Sequence, residues 1–404
     1  MDQVPTSYDH EIVKPLTLLP MRGCEQMGKS VNDYLLRWTK EPETGMLFTL
    51  PGHGKNTFLI ESDCPRFGTG EGKGVIHSSV RGHDLYILCD ITNYNVRYRM
   101  YGFDAPMSPD DHFQDLKRLI AAAGNKPDRI TVIMPFLYEG RQHRRNGRES
   151  LDCAMALQEL LAMGVENIIT FDAHDPRVQN AAPLSNFDNV QPTYQVLKCL
   201  LRAMPDLEID KDHMMVISPD EGAAYRNIYY ASMMGLDLGL FYKRRDYSCV
   251  VNGRNPIVAH EYLGDSVEGK DVIIADDILA TGDSMLDLCR ELKRRKAGRV
   301  FLAVTFALFT EGLEAFDKAY EDGLFDALLS TNLTYLNPEL TGRPWFYEVN
   351  MAKYVAMLIA TLNHNHSISK LLNPSERIEH LLENHLNAQR ARQPEQTKFA
   401  DQPE

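Results

Sequence analysis

Two adjacent aspartates, Asp276 and Asp277, stand near the end of the apolar run "DVIIADDIL", and Ala280, Thr281, Gly282, Asp283 and Ser284 follow almost at once. Carboxylates placed so close repel each other unless a cation or a polyhydroxylated ligand shares their charge. When ionised they only accept hydrogen bonds, which suits vicinal sugar hydroxyls or a Mg²⁺ ion. The residues that follow supply the complement. Gly282 lets backbone come close to a ligand, and the hydroxyls of Thr281 and Ser284 add donors. A helix beginning here would aim its free N–H groups at an anion. A strand running into a short loop and then a helix therefore reads as a cradle for a sugar phosphate. The plainer alternative is a helix N-cap with solvent-facing acids. Two acids and Thr-Gly-x-Ser in one strand–loop–helix context favour the cradle.

Three further groups carry charge in places where chemistry needs it. Arg141, Arg144 and Arg145 cluster behind the apolar run "DRITVIMPF", where they suit nucleotide phosphates. His174 stands beside Asp172 at another strand end and can offer one imidazole nitrogen to a metal ion. Lys243, Arg244 and Arg245 close the run "DLGLFYKRR". Each group also has an ordinary reading: a solvated face, a hydrogen-bonded structural histidine, a strand end in water.

The elements that must position these groups are legible as an alternation. "SPDDHFQDLKRLIAAAG" reads as a helix that Ser108 caps and Gly124 ends, with Phe113, Leu116, Leu119 and Ile120 on one face. "DRITVIMPF" then reads as a strand, "SLDCAMALQELLAMG" as a helix and "ENIITFDAHD" as a strand. The pattern starts afresh with a helix in "PTYQVLKCLLRAM", a strand in "HMMVISPD", a helix in "EGAAYRNIYYASMMG" and the strand "DLGLFYKRR". The strand "KDVIIADD", the helix "GDSMLDLCRELKRRKAG" and the strand "RVFLAVTFALF" complete it. Such alternation specifies an α/β fold with mostly parallel sheets flanked by helices. Two blocks of similar size predict two like domains, at 46–190 and 191–345. They are preceded by an extension over 1–45 and followed by a helix packing back on the body over 346–375 and a polar tail over 376–404, which reads as a solvated helix with a frayed end. Residues 246–269 make a long connection, of the kind that serves as a lid. "HNH" at 364–366 is read as surface polarity.

Bulk properties exclude several classes. The chain has 404 residues, is 44% hydrophobic and carries a net charge of −13. That charge disfavours a nucleic-acid backbone as partner, though local basic clusters can still hold a nucleotide. No apolar run is long enough to span a bilayer, so no membrane partner is expected. The start lacks the layout of a secretory signal, and the seven cysteines are widely spaced without a CxxC pair. Reduced thiols in the cytoplasm are the expectation.

The cradle resembles the signature of the phosphoribosyltransferase fold, which by itself leaves open whether a member consumes or makes the pyrophosphate sugar. Five further stretches choose between these. "FGTGEGKGVIHSSVRGHDLYIL" (67–88), "MPFLYEGRQHRRNGRES" (134–150), "FDAHDPRVQNAAP" (171–183), "VISPDEGAAYR" (216–226) and "FYKRRD" (241–246) resemble, in order, the motifs of the ribose-phosphate pyrophosphokinase family. The resemblance spans residues 60–375. It implies two phosphoribosyltransferase-like domains, the first binding ATP and the second ribose phosphate. It also implies pyrophosphoryl transfer from ATP to ribose 5-phosphate with Mg²⁺, giving 5-phosphoribosyl 1-pyrophosphate and AMP. Carried over residue by residue, Lys243 and Arg245 are catalytic, and Phe67, Glu71, Arg141, Gln142 and Arg144 bind ATP, the first two reaching a neighbouring subunit. His174 and Asp220 hold the metal. Asp276, Asp277, Ala280, Thr281, Gly282, Asp283 and Ser284 bind the ribose phosphate. A homo-oligomer built from dimers, up to a hexamer, follows from such shared sites. The chain departs from the family pattern at Thr69, His143, Glu221 and Ala280. A larger acceptor such as ADP-ribose, a phosphoribosyltransferase and a non-catalytic regulatory homologue are the alternatives.

Overall fold

The computed structural model describes residues 13–41, 55–145, 147–245 and 257–392, with the backbone alone at 243–245 and 257–260. Two compact units divide the chain after Gln191.

The first unit is built on five parallel strands. They are β1 (Leu16–Pro20), β4 (Asp84–Leu88), β7 (Arg129–Ile133), β8 (Asn167–Phe171) and β9 (Asn186–Val190), and they lie in that order. Between them in sequence come helix α1 (Glu25–Trp38), the two-residue strands β2 (Ser62–Asp63) and β3 (Val75–Ile76), and the hairpin of β5 (Arg97–Met100) and β6 (Phe103–Pro106). Helices α2 (Pro109–Ala123) and α3 (Asp152–Ala162) complete the series. Strands β4 and β8 are buried along their whole length, as parallel strands covered on both faces must be. The start of α2 is a full capping box. Ser108 Oγ accepts from the Asp111 amide (3.2 Å) while the Asp111 carboxylate accepts from the Ser108 amide (3.0 Å), with Pro109 in the first turn. Phe113, Leu116, Leu119 and Ile120 face the core, where Leu85, Ile87, Val132 and Ile168 meet them.

The second unit holds a sheet of seven strands. In chain order these are β10 (Met214–Ser218), β11 (Asp237–Arg245), β12 (Ile257–Leu263), β13 (Asp271–Leu279), β14 (Val300–Ala307), β15 (Ala327–Thr331) and β16 (Phe346–Val349). They are arranged β12-β11-β10-β13-β14-β15-β16, parallel throughout except for the edge strand β12. Helices α4 (Thr193–Ala203), α5 (Ala224–Met234), α6 (Asp283–Arg294) and α7 (Glu314–Glu321) belong with it. On α6 the residues Leu286, Cys289 and Leu292 are buried at helical spacing against Val272, Ile274 and Val300.

Beyond β16 the chain returns to the first unit with α8 (Ala352–Asn363) and the short α9 (Ser369–Leu372), then rejoins the second with α10 (Ser375–Arg392). Four expectations are corrected here. Residues 16–38 are not an extension: Leu16 to Pro20 pair in register with Asp84 to Leu88, which makes β1 an edge of the first sheet. Residues 346–349 are a strand of the second sheet rather than the start of a returning helix. Within the tail, α10 is anchored by buried Ile378 and by His385 and Gln389, whose ring and amide nitrogens donate to the Leu207 carbonyl, both at 2.8 Å. The connection over 246–269 is also partly sheet, since Ile257–Leu263 pairs with β11; residues 246–256 lie outside the described residues. Among the described residues no helix is long and apolar enough to cross a membrane.

Candidate active site

Strand β13 delivers the paired aspartates through its alternation. Asp276 faces a cavity of about 200 Å³ that Pro219, Asp220, Ala280, Thr281, Gly282 and Ser284 also line. Asp277, one residue on, is buried and lies outside that lining. Asp283 is exposed in the first turn of α6, and it lies outside that lining. The seven cradle residues are thus divided. Asp276, Ala280, Thr281, Gly282 and Ser284 share one cavity with Asp220, while Asp277 stands behind it and Asp283 beside it. Gly282 adopts φ +91°, and a Cβ there would lie 2.2 Å from Phe316 Cζ, so both conformation and space require glycine.

The acids are managed by a helix that packs beside them. Arg226 on α5 places Nη1 3.5 Å from Asp276 Oδ1 and Nη2 3.6 Å from Asp277 Oδ1. Burial and the neighbouring Asp277 carboxylate push the Asp276 carboxyl well above the usual range, and Arg226 pulls it back. Asn227, fully buried, does something further. Strands β10 and β13 cease to pair after Ile217 and Ile274. At the next residue the Asn227 carboxamide takes over: its Oδ1 accepts from the Ala275 amide (3.0 Å) and its Nδ2 donates to the Ala275 carbonyl (2.8 Å). The side chain therefore satisfies the β13 backbone where the strands part and the cavity opens. Neither residue was picked out from sequence. The one available signal is their position on the helix that follows "PDEG".

Asp220 sits in the turn after β10, where its Oδ1 accepts from the Ala223 amide (3.1 Å) and its carbonyl accepts from Ser218 Oγ (2.8 Å). Two carboxylates on one cavity, Asp220 and Asp276, are the hard oxygen donors that suit Mg²⁺. His174 belongs to the first unit and is exposed in the turn after β8. That turn begins with Asp172 at φ +42°, a conformation Asp tolerates better than most residues. His174 stands near His143, their ring centroids 5.6 Å apart, and His143 Nε2 lies 3.3 Å from Asp175 Oδ2. Arg177 fixes Asp175 in turn and holds its carboxyl down at about 2.

Arg141, Arg144 and Arg145 are all exposed in the loop after β7. Gln142 turns inward to its own loop, where Nε2 donates to the carbonyls of Ser150 (2.9 Å) and Arg144 (3.3 Å). Here it ties the loop rather than projecting from it. Phe67 is 57% exposed in a tight turn that the Phe67 amide closes on the Glu71 carbonyl (2.7 Å), and the Glu71 carboxylate accepts from Thr69 Oγ1 (2.8 Å). Lys243 and Arg245 end β11, paired in register with His260 and Ile257 of β12. Among the described residues one group has the spacing of metal ligands, the exposed Glu208, Asp210 and His213, and it contains neither His174 nor Asp220.

The chain matches the family model of the N-terminal domain of ribose phosphate pyrophosphokinase over residues 16–164 and that of the phosphoribosyl transferase domain over residues 189–322. It is 30% identical over 319 residues to a ribose-phosphate pyrophosphokinase of Pasteurella multocida, covering 78% of this chain and 91% of that one. A ribose-phosphate pyrophosphokinase of Vibrio parahaemolyticus is 28% identical over 321 residues, covering 78% and 92%. The crystal structure of phosphoribosylpyrophosphate synthetase from Mycobacterium smegmatis superposes with a TM-score of 0.69 at 19% identity, covering 87% of this chain and all of the other. That last likeness establishes the fold of two phosphoribosyltransferase-type domains.

Proposed function

Since this chain belongs to the ribose-phosphate pyrophosphokinase family, we propose that it transfers the pyrophosphoryl group of ATP to the anomeric hydroxyl of ribose 5-phosphate. The anomeric oxygen attacks the β-phosphorus and loses its proton. The bond from that phosphorus to the oxygen bridging to the α-phosphorus breaks, and AMP leaves. The observation that carries the reading is the 276–284 cradle, in which an acid, two hydroxyls and a helix N-terminus meet on one cavity with Asp220.

The chain's own residues divide the work by charge. Thr281, Gly282 and Ser284 hold the 5-phosphate, and Asp276 accepts from a ribose hydroxyl with Asp277 behind it; Ala280 and Asp283 shape the loop. Arg141 and Arg144 bind the triphosphate, on a loop that Gln142 keeps closed. Lys243 and Arg245 stabilise charge on the transferring group and the departing AMP. Asp220 and His174 would hold Mg²⁺, which supplies neutralisation of the phosphate oxygens. The exposure of Phe67 and Glu71 supports their service to the adenine of a neighbouring copy, hence a homo-oligomer. Cytoplasmic residence with reduced thiols completes the picture.

The test is a mixture of the full chain with ATP, ribose 5-phosphate and Mg²⁺, followed by chromatography. AMP and 5-phosphoribosyl 1-pyrophosphate should appear together. No AMP from well-folded protein rejects the reading. Faster AMP release with ADP-ribose would reassign the acceptor. Pyrophosphate released from 5-phosphoribosyl 1-pyrophosphate and a nucleobase, without AMP, would make the chain a phosphoribosyltransferase.

A further inference from the structure

We propose that Arg226 is a positioning residue for the pentose ester: braced against buried Asp277, its guanidinium fixes the Asp276 carboxylate in the orientation that meets a sugar hydroxyl. This rests on the pentose-ester reading of the cradle. Asp277 has 6% of its side chain exposed and Arg226 11%, so both ends of the brace are sheltered from water. Asp276, at 24%, is the member open to the cavity. The Arg226 fork spans them, with one terminal nitrogen toward each acid. Planar and permanently charged, a guanidinium can serve two carboxylates at once, which a point charge on a flexible stem does less well.

The Asp276 carboxylate is held from two sides at the same oxygen. Oδ1 accepts from the Asp277 amide at 2.9 Å and faces Arg226 Nη1 at 3.5 Å. The carboxylate so held is the one that lines the cavity with Thr281 and Ser284. The next residue on α5, Asn227, locks the strand carrying the acid by replacing the lost pairing at Ala275. One turn of helix thus sets both backbone and side chain of the acid that faces the ligand. Without the guanidinium, two adjacent carboxylates would be left to repel one another, and Asp276 would lose the partner that fixes its orientation.

A double-mutant cycle on the full chain tests this, with KM for each substrate from AMP formation and ribose 5-phosphate binding from calorimetry. Arg226→Gln should raise KM and Kd for ribose 5-phosphate at least tenfold, on the scale of one lost charge-assisted hydrogen bond, and change KM for ATP less than twofold. In an Asp276→Asn background the same substitution should change KM for ribose 5-phosphate less than threefold, because the acid through which Arg226 acts is already neutral. Arg226→Lys should recover part of the affinity, and it carries the cycle if the glutamine variant does not fold. Equal effects in both backgrounds, or a glutamine variant that binds ribose 5-phosphate like the parent, overturn the assignment while the parent still makes AMP. A parent that makes no AMP removes the pentose-ester reading and this role with it.

Discussion

Side chains in this protein owe their chemistry to what covers them, and the cysteines show it most directly. Burial pushes the thiols of Cys153 and Cys289 up to about 12, and Cys64 reaches about 12 through burial with the Asp115 carboxylate adding to it. Cys24 and Cys199 are raised by the same cause. A thiol at that level holds roughly one part in ten thousand as thiolate at pH 8, and thiolate is the reacting form. We therefore expect Ellman's reagent at pH 8 to leave every cysteine of the native chain unmodified within minutes, except Cys249, which lies outside the described residues. All seven thiols should react once guanidinium unfolds the chain. Rapid native labelling at Cys64 or Cys153, read by peptide mass, would contradict this. The same dependence on cover explains why Arg226 and Asn227 escaped a reading of the sequence. An Arg-Asn pair on an amphipathic helix looks like a polar face until α5 is laid against β13.

At the scale of elements, the cradle is shaped as much by what lies beneath it as by its own loop. Phe316 of α7 is fully buried, edge-on to Phe309 with ring centroids 5.0 Å apart and tilted against Trp345, and the backbone of Gly282 rests on it. Gly282→Ala should cost about 2–4 kcal/mol, from overpacking against that ring together with a left-handed backbone. It should also weaken ribose 5-phosphate binding by displacing the loop. Urea unfolding and calorimetry check the two effects, and a variant that keeps both its midpoint and its affinity would refute the steric account. Most elements were visible beforehand because their signals are local. Helix α2 carries its cap, stripe and stop within seventeen residues, and β13, α6 and β14 follow one another with clear changes of period. The elements missed were those whose partners are distant or whose surface is polar. Strand β1 pairs with residues sixty-eight positions later, and β12 carries His260 and Glu261 along a sheet edge; α10 is legible as a helix, but its anchoring is not, because it buries little beyond Ile378.

For the molecule as a whole, one buried charge joins segments far apart in the chain. Asp84, fully buried, accepts from Arg129 Nε (2.8 Å) and Nη2 (2.6 Å), from the Tyr86 hydroxyl (2.8 Å) and from Asn363 Nδ2 (2.9 Å). Arg129 also donates to the Leu362 carbonyl (2.7 Å) and to Asn365 (3.0 Å), so the "HNH" stretch read as surface polarity supplies one end of a latch. Removing one partner of a buried pair costs about 3–5 kcal/mol, because the other charge is stranded. Arg129→Ala should lose about that much stability in urea titration, with Arg129→Lys intermediate; an unchanged midpoint would show that the latch carries no weight.

That latch sets a timetable for synthesis. Asp84 leaves the ribosome nearly three hundred residues ahead of Asn363, whose amide it accepts from, and by then every strand of the second sheet has emerged. The amino-terminal half must wait, incompletely clasped, for its last partner. A nascent chain that stalls after β16 would carry an anion with too few donors, and it would be a natural client for chaperones and proteases.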